Sequence, residues 1–405
     1  MQQLIEEIKK EVINHLDIYR EYEDEEIVEI IDDIIITRSK SRYVSIEDKR
    51  HIQKTIFNSI RRYDILQDLI EDSDITEIMI NGYDNIFFEK KGCIMAWSEK
   101  FESDKKLEDI IQQIVSRSNR IVNESNPIVD ARLEDGSRVN IVLPPVSLSG
   151  PVVTIRKFPE EPISIKDLIS FTSLTKELAV FLEKLVIAGY NIFISGGTGS
   201  GKTTFLNVLS NFIPTDERVI TIEDSAELQI RNIKNLVSLE VRNANIEGKN
   251  EISIRDLIKS SLRMRPDRIV VGEVRDGAAL DMLQAMNTGH DGSLSTGHAN
   301  STIDMLNRLE VLCIMGNSSV PIEAVRKQIA SALDIIIHLD RLRDKSRKVV
   351  EVSEIIACRD GKYILNKLYQ FDDKGEDEEG KVIGQIKKTK NELINTTKLR
   401  KAGIL

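Results

Sequence analysis

Eight consecutive residues, Gly196-Gly197-Thr198-Gly199-Ser200-Gly201-Lys202-Thr203, carry the first chemistry legible in the chain. Glycines at this density remove Cβ atoms, so successive backbone N–H groups can turn inward on an anion. The spacing G-x-x-x-x-G-K-[ST] lies between the apolar strand NIFIS and the helix-forming TTFLNVL, which is the setting of a loop that cradles nucleotide phosphates. The positive end of the following helix adds to the attraction. In that setting Lys202 reaches the β- and γ-phosphates, Thr203 ligates Mg²⁺ and Thr204 extends the site into the helix. ATP with Mg²⁺ is therefore the expected ligand. A turn that merely joined strand to helix would not need Lys followed by Thr at these positions.

Two further segments place carboxylates where such a loop needs them. RIVVGE, Arg268 to Glu273, is an apolar strand ending in an acid. In a sheet of this kind that end lies near Mg²⁺ and the attacking water, so Glu273 is the candidate to orient or deprotonate the water. VITIEDSAEL ends a second strand with Glu223 and Asp224, followed by Glu227. Ligands bind at the carboxyl edge of α/β sheets, which makes Glu223, Asp224 and Glu273 the candidates to hold Mg²⁺, partly through water. Capping of a following helix is the other role open to Asp224.

TGHDGSLSTGHANS holds His290 and His298, two of the five histidines in the chain. In a loop or strand edge they are candidates for a polar sensor of the γ-phosphate. No third ligand stands at helical spacing to complete a metal site on the pair.

The elements that must position these groups change character along the 405 residues. Residues 1–63 contain no Gly or Pro and repeat apolar residues at helical spacing, which predicts a helical bundle or arm. Residues 64–158 alternate short strand patterns with Asn-Gly, Lys-Gly and Asp-Gly turns around a helix expected from about Lys105 to Val122, an α+β domain. Residues 159–165, with Pro159 and Pro162, form the expected linker. From 166 to 370 apolar strands alternate with helices, implying a parallel sheet covered on both faces. Residues 371–405 are strongly charged and read as a loose or independently helical tail.

Composition narrows the partners. A net charge of −10 opposes broad nucleic-acid binding, and no basic-aromatic interleaving is present to suit a nucleic-acid translocase. Cys93, Cys313 and Cys358 are too widely spaced for a zinc site or a disulfide framework. The N-terminus lacks an apolar signal region and no stretch is long and apolar enough to span a bilayer, so a cytoplasmic location is expected, with any membrane role exercised through partners.

GGTGSGKTT, TIEDSAEL, RPDRIVVGEVRD and TGHDGSLSTGHANS, in this order, resemble the Walker A, Asp box, Walker B and His box of the secretion-type ATPases. These power type II and type IV secretion, type IV pili and archaeal flagella. DITEIMINGYDNIFFEKKG and VDARLEDGSRVNIVLPPVSLSGPVVTIRKF look like the N-terminal domain of the CpaF-type (TadA) branch, from tight-adherence pili. The resemblance covers about residues 60–360. It implies a PAS-like N-terminal domain, a RecA-like P-loop domain, a homo-hexameric ring and inner-membrane platform proteins as partners at the cytoplasmic face. By position it also implies that Arg138 and Arg156, with Arg132 as a third candidate, approach the γ-phosphate. Planar guanidinium groups suit the spread charge of a transferring phosphoryl group. The activity so implied is a mechanically coupled ATPase. A nucleic-acid translocase on the same core and an ATP-binding scaffold without turnover are the alternatives.

Overall fold

The computed structural model describes every residue except 18, 41, 42, 91, 119, 159–161 and 243–248. It divides into two compact units, Met1–Glu160 and Glu161–Leu405. The first three residues of the expected linker, Pro159 among them, and the Lys of the Lys-Gly turn lie outside the described residues.

The first unit opens with three helices, α1 (Gln2–His15), α2 (Asp24–Ser39) and α3 (Ile46–Arg61). Their apolar residues recur three or four apart, so each helix turns one stripe inward, and Ile8, Val12, Ile31, Ile35, Ile52 and Ile56 form a small core. Reciprocal capping by Glu23 and Glu26 starts α2, and the Ser45 hydroxyl accepts from Asp48 N at the head of α3. Asp24 holds both Arg61 and Arg62 at 3.0 Å, tying the end of α3 to the start of α2.

After α4 (Leu66–Glu71) comes an antiparallel sheet with a core of its own. Its strands are β1 (Ile75–Asn81), β2 (Ile86–Lys90), β3 (Cys93–Ala96), β4 (Ile128–Arg132), β5 (Arg138–Val142) and β6 (Val152–Arg156), in spatial order β3-β2-β1-β6-β5-β4. Helix α5 (Asp104–Arg117) buries Leu107, Ile110, Ile111 and Ile114 in that core. It is shorter than the expected 105–122. The Ser118 hydroxyl turns away to bond Arg132 O at 2.9 Å, which redirects the chain towards β4.

The second unit is a nine-stranded sheet in the order β15-β14-β13-β12-β7-β11-β10-β8-β9. After α6 (Ile165–Ser170) and α7 (Lys176–Ile187) come β7 (Ile192–Gly196), α8 (Lys202–Ser210), β8 (Arg218–Glu223), β9 (Asn235–Glu240), α9 (Ile254–Ser261), β10 (Arg268–Val271), α10 (Ala278–Asn287) and β11 (Leu294–His298). Two helices, α11 (Thr302–Gly316) and α12 (Ile322–Ala332), lead to β12 (Ile335–Arg341). The strands β12, β7, β11, β10, β8 and β9 are parallel. Within β7, Ile192 and Ile194 face one core and Phe193 the other, so apolar residues run unbroken because both faces are covered. This is the mixed α/β, RecA-like architecture expected. No described helix is long and apolar enough to cross a membrane.

The charged C-terminal stretch departs from the expectation of a loose tail. β13 (Arg347–Arg359), β14 (Lys362–Glu376) and β15 (Val382–Lys388) extend the sheet antiparallel, and α13 (Thr397–Lys401) closes the chain. Ile386 and Leu399 are buried in the main core. The buried Glu354 carboxylate accepts from Ile394 N at 2.9 Å and Asn395 N at 2.7 Å. Lys387 and Lys388 at the end of the edge strand β15 protect that edge from further pairing.

Candidate active site

The parallel register brings four strand ends to one edge of the sheet. Gly196 of β7 lies beside His298 of β11, while Val271 of β10 pairs with Ser295 on one side and Ile222 on the other. Glu273 and Glu223 therefore emerge beside the loop that follows β7.

That loop is shaped by its neighbours. A Cβ on Gly196 would stand 2.5 Å from Leu339 O, so only glycine passes there. Gly199 and Gly201 take φ of 71° and 91°, which turns the chain into α8 with Gly201 as its N-cap. Among the described residues, the backbone N–H groups of Gly199, Gly201, Lys202, Thr203 and Thr204 have no acceptor. A row of orphan donors at a helix N-terminus is an anion site. Lys202, only 6% exposed, folds its ammonium back onto Gly197 O at 2.8 Å. Burial lowers its pKa, opposed by the Glu273 carboxylate.

Lys202 Nζ also lies 3.2 Å from His298 Nδ1, and His298 Nε2 lies 3.3 Å from Glu273 Oε1. An ammonium can only donate, so Nδ1 is the acceptor and Nε2 carries the proton, which it directs at Glu273. Burial first and Lys202 second push the His298 pKa down, consistent with a neutral ring. Arg275, which sequence reading passed over, bridges Glu273 at 3.1 Å and Asp224 at 2.8 Å. Its position two residues after Glu273 in an extended segment, hence on the same side, was the available signal.

The acids divide their work. Glu223, 3% exposed, accepts from Glu227 N at 2.8 Å and Leu228 N at 3.0 Å through Oε1, and burial raises its pKa to about 7. It thus closes the loop after β8, and Gly272 leaves the room its side chain occupies. No helix follows Asp224, so the capping role open to it in sequence is replaced by the ion pair with Arg275. The oxygen donors suit a hard cation such as Mg²⁺, with Thr203 the least committed to other partners and Glu273 already meeting Arg275 and His298.

His290 does not join this end of the sheet. Asn191 Oδ1, just before β7, accepts from Gly292 N and Ser293 N, which seats residues 290–293 at the opposite edge. His290 Nδ1 lies 3.2 Å from Ala285 O, and about 15 Å of β11 separates it from the glycine loop. That strand keeps His290 apart from His298, against the expectation that both sense the γ-phosphate. A different histidine takes part. Buried His338 of β12 sets Nδ1 3.1 Å from the hydroxyl of Ser195, one residue before Gly196, and is hydrogen bonded to the backbone of Asn300 beyond His298. A polar residue within the apolar run IIIHL was its only mark in the sequence.

Matching of known family models finds the type II/IV secretion system protein family over residues 61–383. The chain belongs to this family. It is 33% identical over 308 residues to the conjugal transfer protein TrbB of Rhizobium radiobacter, covering 75% of this chain and 91% of that one. It is 30% identical over 335 residues to the type IV secretion system protein VirB11 of Bartonella henselae, covering 74% and 93%. An uncharacterized protein of Methanocaldococcus jannaschii is 42% identical over 252 residues, covering 60% of this chain, which spans only 35% of that relative's length. The fold matches that of the Legionella pneumophila ATPase DotB, with TM-score 0.51 at 22% identity over 72% of this chain and 79% of that one.

The arginines that the family resemblance singled out lie in the first unit. Arg132 is opposite Arg138, Arg138 opposite Arg156, and Arg156 opposite Glu77, whose carboxylate is 3.9 Å away. Ala131, Val139 and Ile155 alternate with them and face the core, so all three arginines share the other face of the sheet. Three guanidinium groups in one row form a concentrated cationic strip.

Proposed function

We propose that this secretion-system family member binds ATP with Mg²⁺ at residues 196–204 and hydrolyses it. The observation that carries the reading is the chain Lys202–His298–Glu273 at the mouth of a loop lined with orphan N–H donors. When ATP enters, Lys202 leaves Gly197 O for the β- and γ-phosphates, where its charge is better used. Mg²⁺, when bound, would supply positive charge that offsets the charge developing on the phosphoryl group. Thr203 and Glu273 would hold the ion, in part through water, while Glu223 and Asp224 keep their ends of the site in shape. Glu273, oriented by His298 Nε2–H and Arg275, accepts the proton of the attacking water. The family resemblance supports a role for Arg132, Arg138 and Arg156 in contributing guanidinium charge to a transferring phosphoryl group.

We further propose that six copies form a ring whose turnover drives a pilus or secretion machine through membrane-embedded partners at the cytoplasmic face. The segments DITEIMINGYDNIFFEKKG and VDARLEDGSRVN support the tight-adherence pilus branch. Steady-state phosphate release with ATP and Mg²⁺ tests the core of the reading. Lys202→Ala is expected to abolish it, and Glu273→Gln to leave ATP bound without turnover. Wild-type turnover in the Gln variant would overturn the role of Glu273.

A further inference from the structure

The hairpin formed by β12 and β13 overhangs the phosphate loop on the side away from Glu273. Arg341, ending β12, and Arg347, opening β13, are directly opposite one another in the antiparallel register. Like charges in that relation repel, by an amount that water reduces and a bound anion would remove. No carboxylate offsets the repulsion among the described residues. Arg341 and Arg347 make no ion pair there, and the nearby Asp340 carboxylate accepts from the Arg341 backbone N–H at 2.8 Å. The contrast with Arg343, at the tip of the same hairpin, is sharp: it holds Asp373 at 2.6 Å and is also paired with Glu376.

Both unneutralised guanidinium groups border the glycine loop. Arg347 Nε donates to Gly199 O at 2.9 Å, and its Cδ would lie 3.5 Å from a Cβ on Gly201. Arg341 Nη1 would lie 3.9 Å from a Cβ on Gly199. The strand order then decides which part of a ligand they meet. β12 flanks β7 on one side, and β11 and β10, which carry His298 and lead to Glu273, flank it on the other. A phosphate chain whose terminal member faces Glu273 must direct its nucleoside-proximal member towards β12.

We infer that Arg341 and Arg347 form a cationic clamp for the α- and β-phosphates of the nucleotide, the part shared by ATP and ADP. The inference rests on the nucleotide-binding reading above and adds to it a grip that survives loss of the γ-phosphate. The opposed charges are tolerated without ligand because both side chains are exposed to water, and they are neutralised when the anion arrives. A planar, forked donor set is suited to bridging two phosphates.

Titration of the full chain with Mg²⁺-ADP and Mg²⁺-ATP, with thermal unfolding in parallel, tests this. Arg341→Ala removes a guanidinium that bonds no part of the loop, so it leaves the fold undisturbed. It is expected to weaken ADP and ATP by the same factor, about tenfold or more, the scale of one charge-assisted hydrogen bond. Arg347→Ala should do likewise, with Arg347→Lys recovering part of the loss. Without nucleotide, Arg341→Ala should not melt below wild type, because a repulsion has been relieved and no bond to the loop is lost, while in both Ala variants the ADP-induced rise in melting temperature should shrink. ADP affinity unchanged in both Ala variants, or ATP weakened with ADP untouched, would overturn the clamp. Absence of ADP and ATP binding by the wild-type chain would instead sink the nucleotide reading itself.

Discussion

His298 stands between two charges, 3.2 Å from the Lys202 ammonium and 3.3 Å from the Glu273 carboxylate, and is held neutral between them. One nitrogen accepts and the other donates, so the ring couples the Lys202 ammonium to the Glu273 carboxylate.

The pH dependence of kcat/KM should reflect that neutrality. Protonating Nδ1 destroys the acceptor that faces Lys202 and sets a second cation beside it. With the His298 pKa lowered by burial and by Lys202, turnover should hold through neutral pH and fall only at acidities below the ordinary histidine range. His298→Gln should lower turnover and remove that acid limb. A pH–rate profile of the two proteins decides it, and an unaltered limb in the variant would assign the titration elsewhere.

Replacing Glu273 by Gln keeps size and hydrogen bonding to His298 but removes the base. Turnover is expected to fall by about a hundredfold to ten-thousandfold, the usual contribution of a positioned general base. Nucleotide affinity should change far less. Single-turnover phosphate release beside equilibrium ATP binding separates the two effects.

Glu223 titrates near neutral pH because burial disfavours its charge. Its pKa is about 7 in the fold against an ordinary 4.5, so its protonated form is preferred when folded. The associated stability is fully present below pH 4.5 and is lost as pH rises through 7, about 3 kcal/mol in all. Glu223→Gln keeps an acceptor for Glu227 N and Leu228 N and should show less decline of stability across that window than wild type. Denaturant melts at pH 5 and pH 8 provide the comparison.

Removing the Glu354 carboxylate should release the C-terminal segment. Glu354→Ala leaves the N–H groups of Ile394 and Asn395 without their acceptor, at a cost of about 2 to 3 kcal/mol. Amide exchange confined to residues 390–405 should accelerate while β7 and α8 stay protected. Uniform loss of protection would show that the segment is part of the global folding unit.

Much of this molecule was legible in sequence wherever the determinant is local. The glycines and Lys202 declare a tight glycine turn opening a helix, because backbone freedom and a following helix are properties of neighbours in the chain. The alternation of apolar strands and helices after residue 166 declares a covered parallel sheet for the same reason. Glu273 and Glu223 could be placed at strand ends, since apolar runs have visible limits.

Which strand ends lie side by side is a matter of sheet order, and no single segment encodes that. Only the tertiary structure joins Lys202, His298 and Glu273, and sends His290, eight positions before His298, to the far edge of the same strand. Only the antiparallel return of β13 against β12 brings Arg341 and Arg347 over a loop far earlier in the chain. The charged C-terminal stretch likewise hides its inward residues until a neighbouring strand defines which face is inside. Local conformation follows from the residues at hand, whereas the site arises from long-range pairing chosen by the whole buried surface.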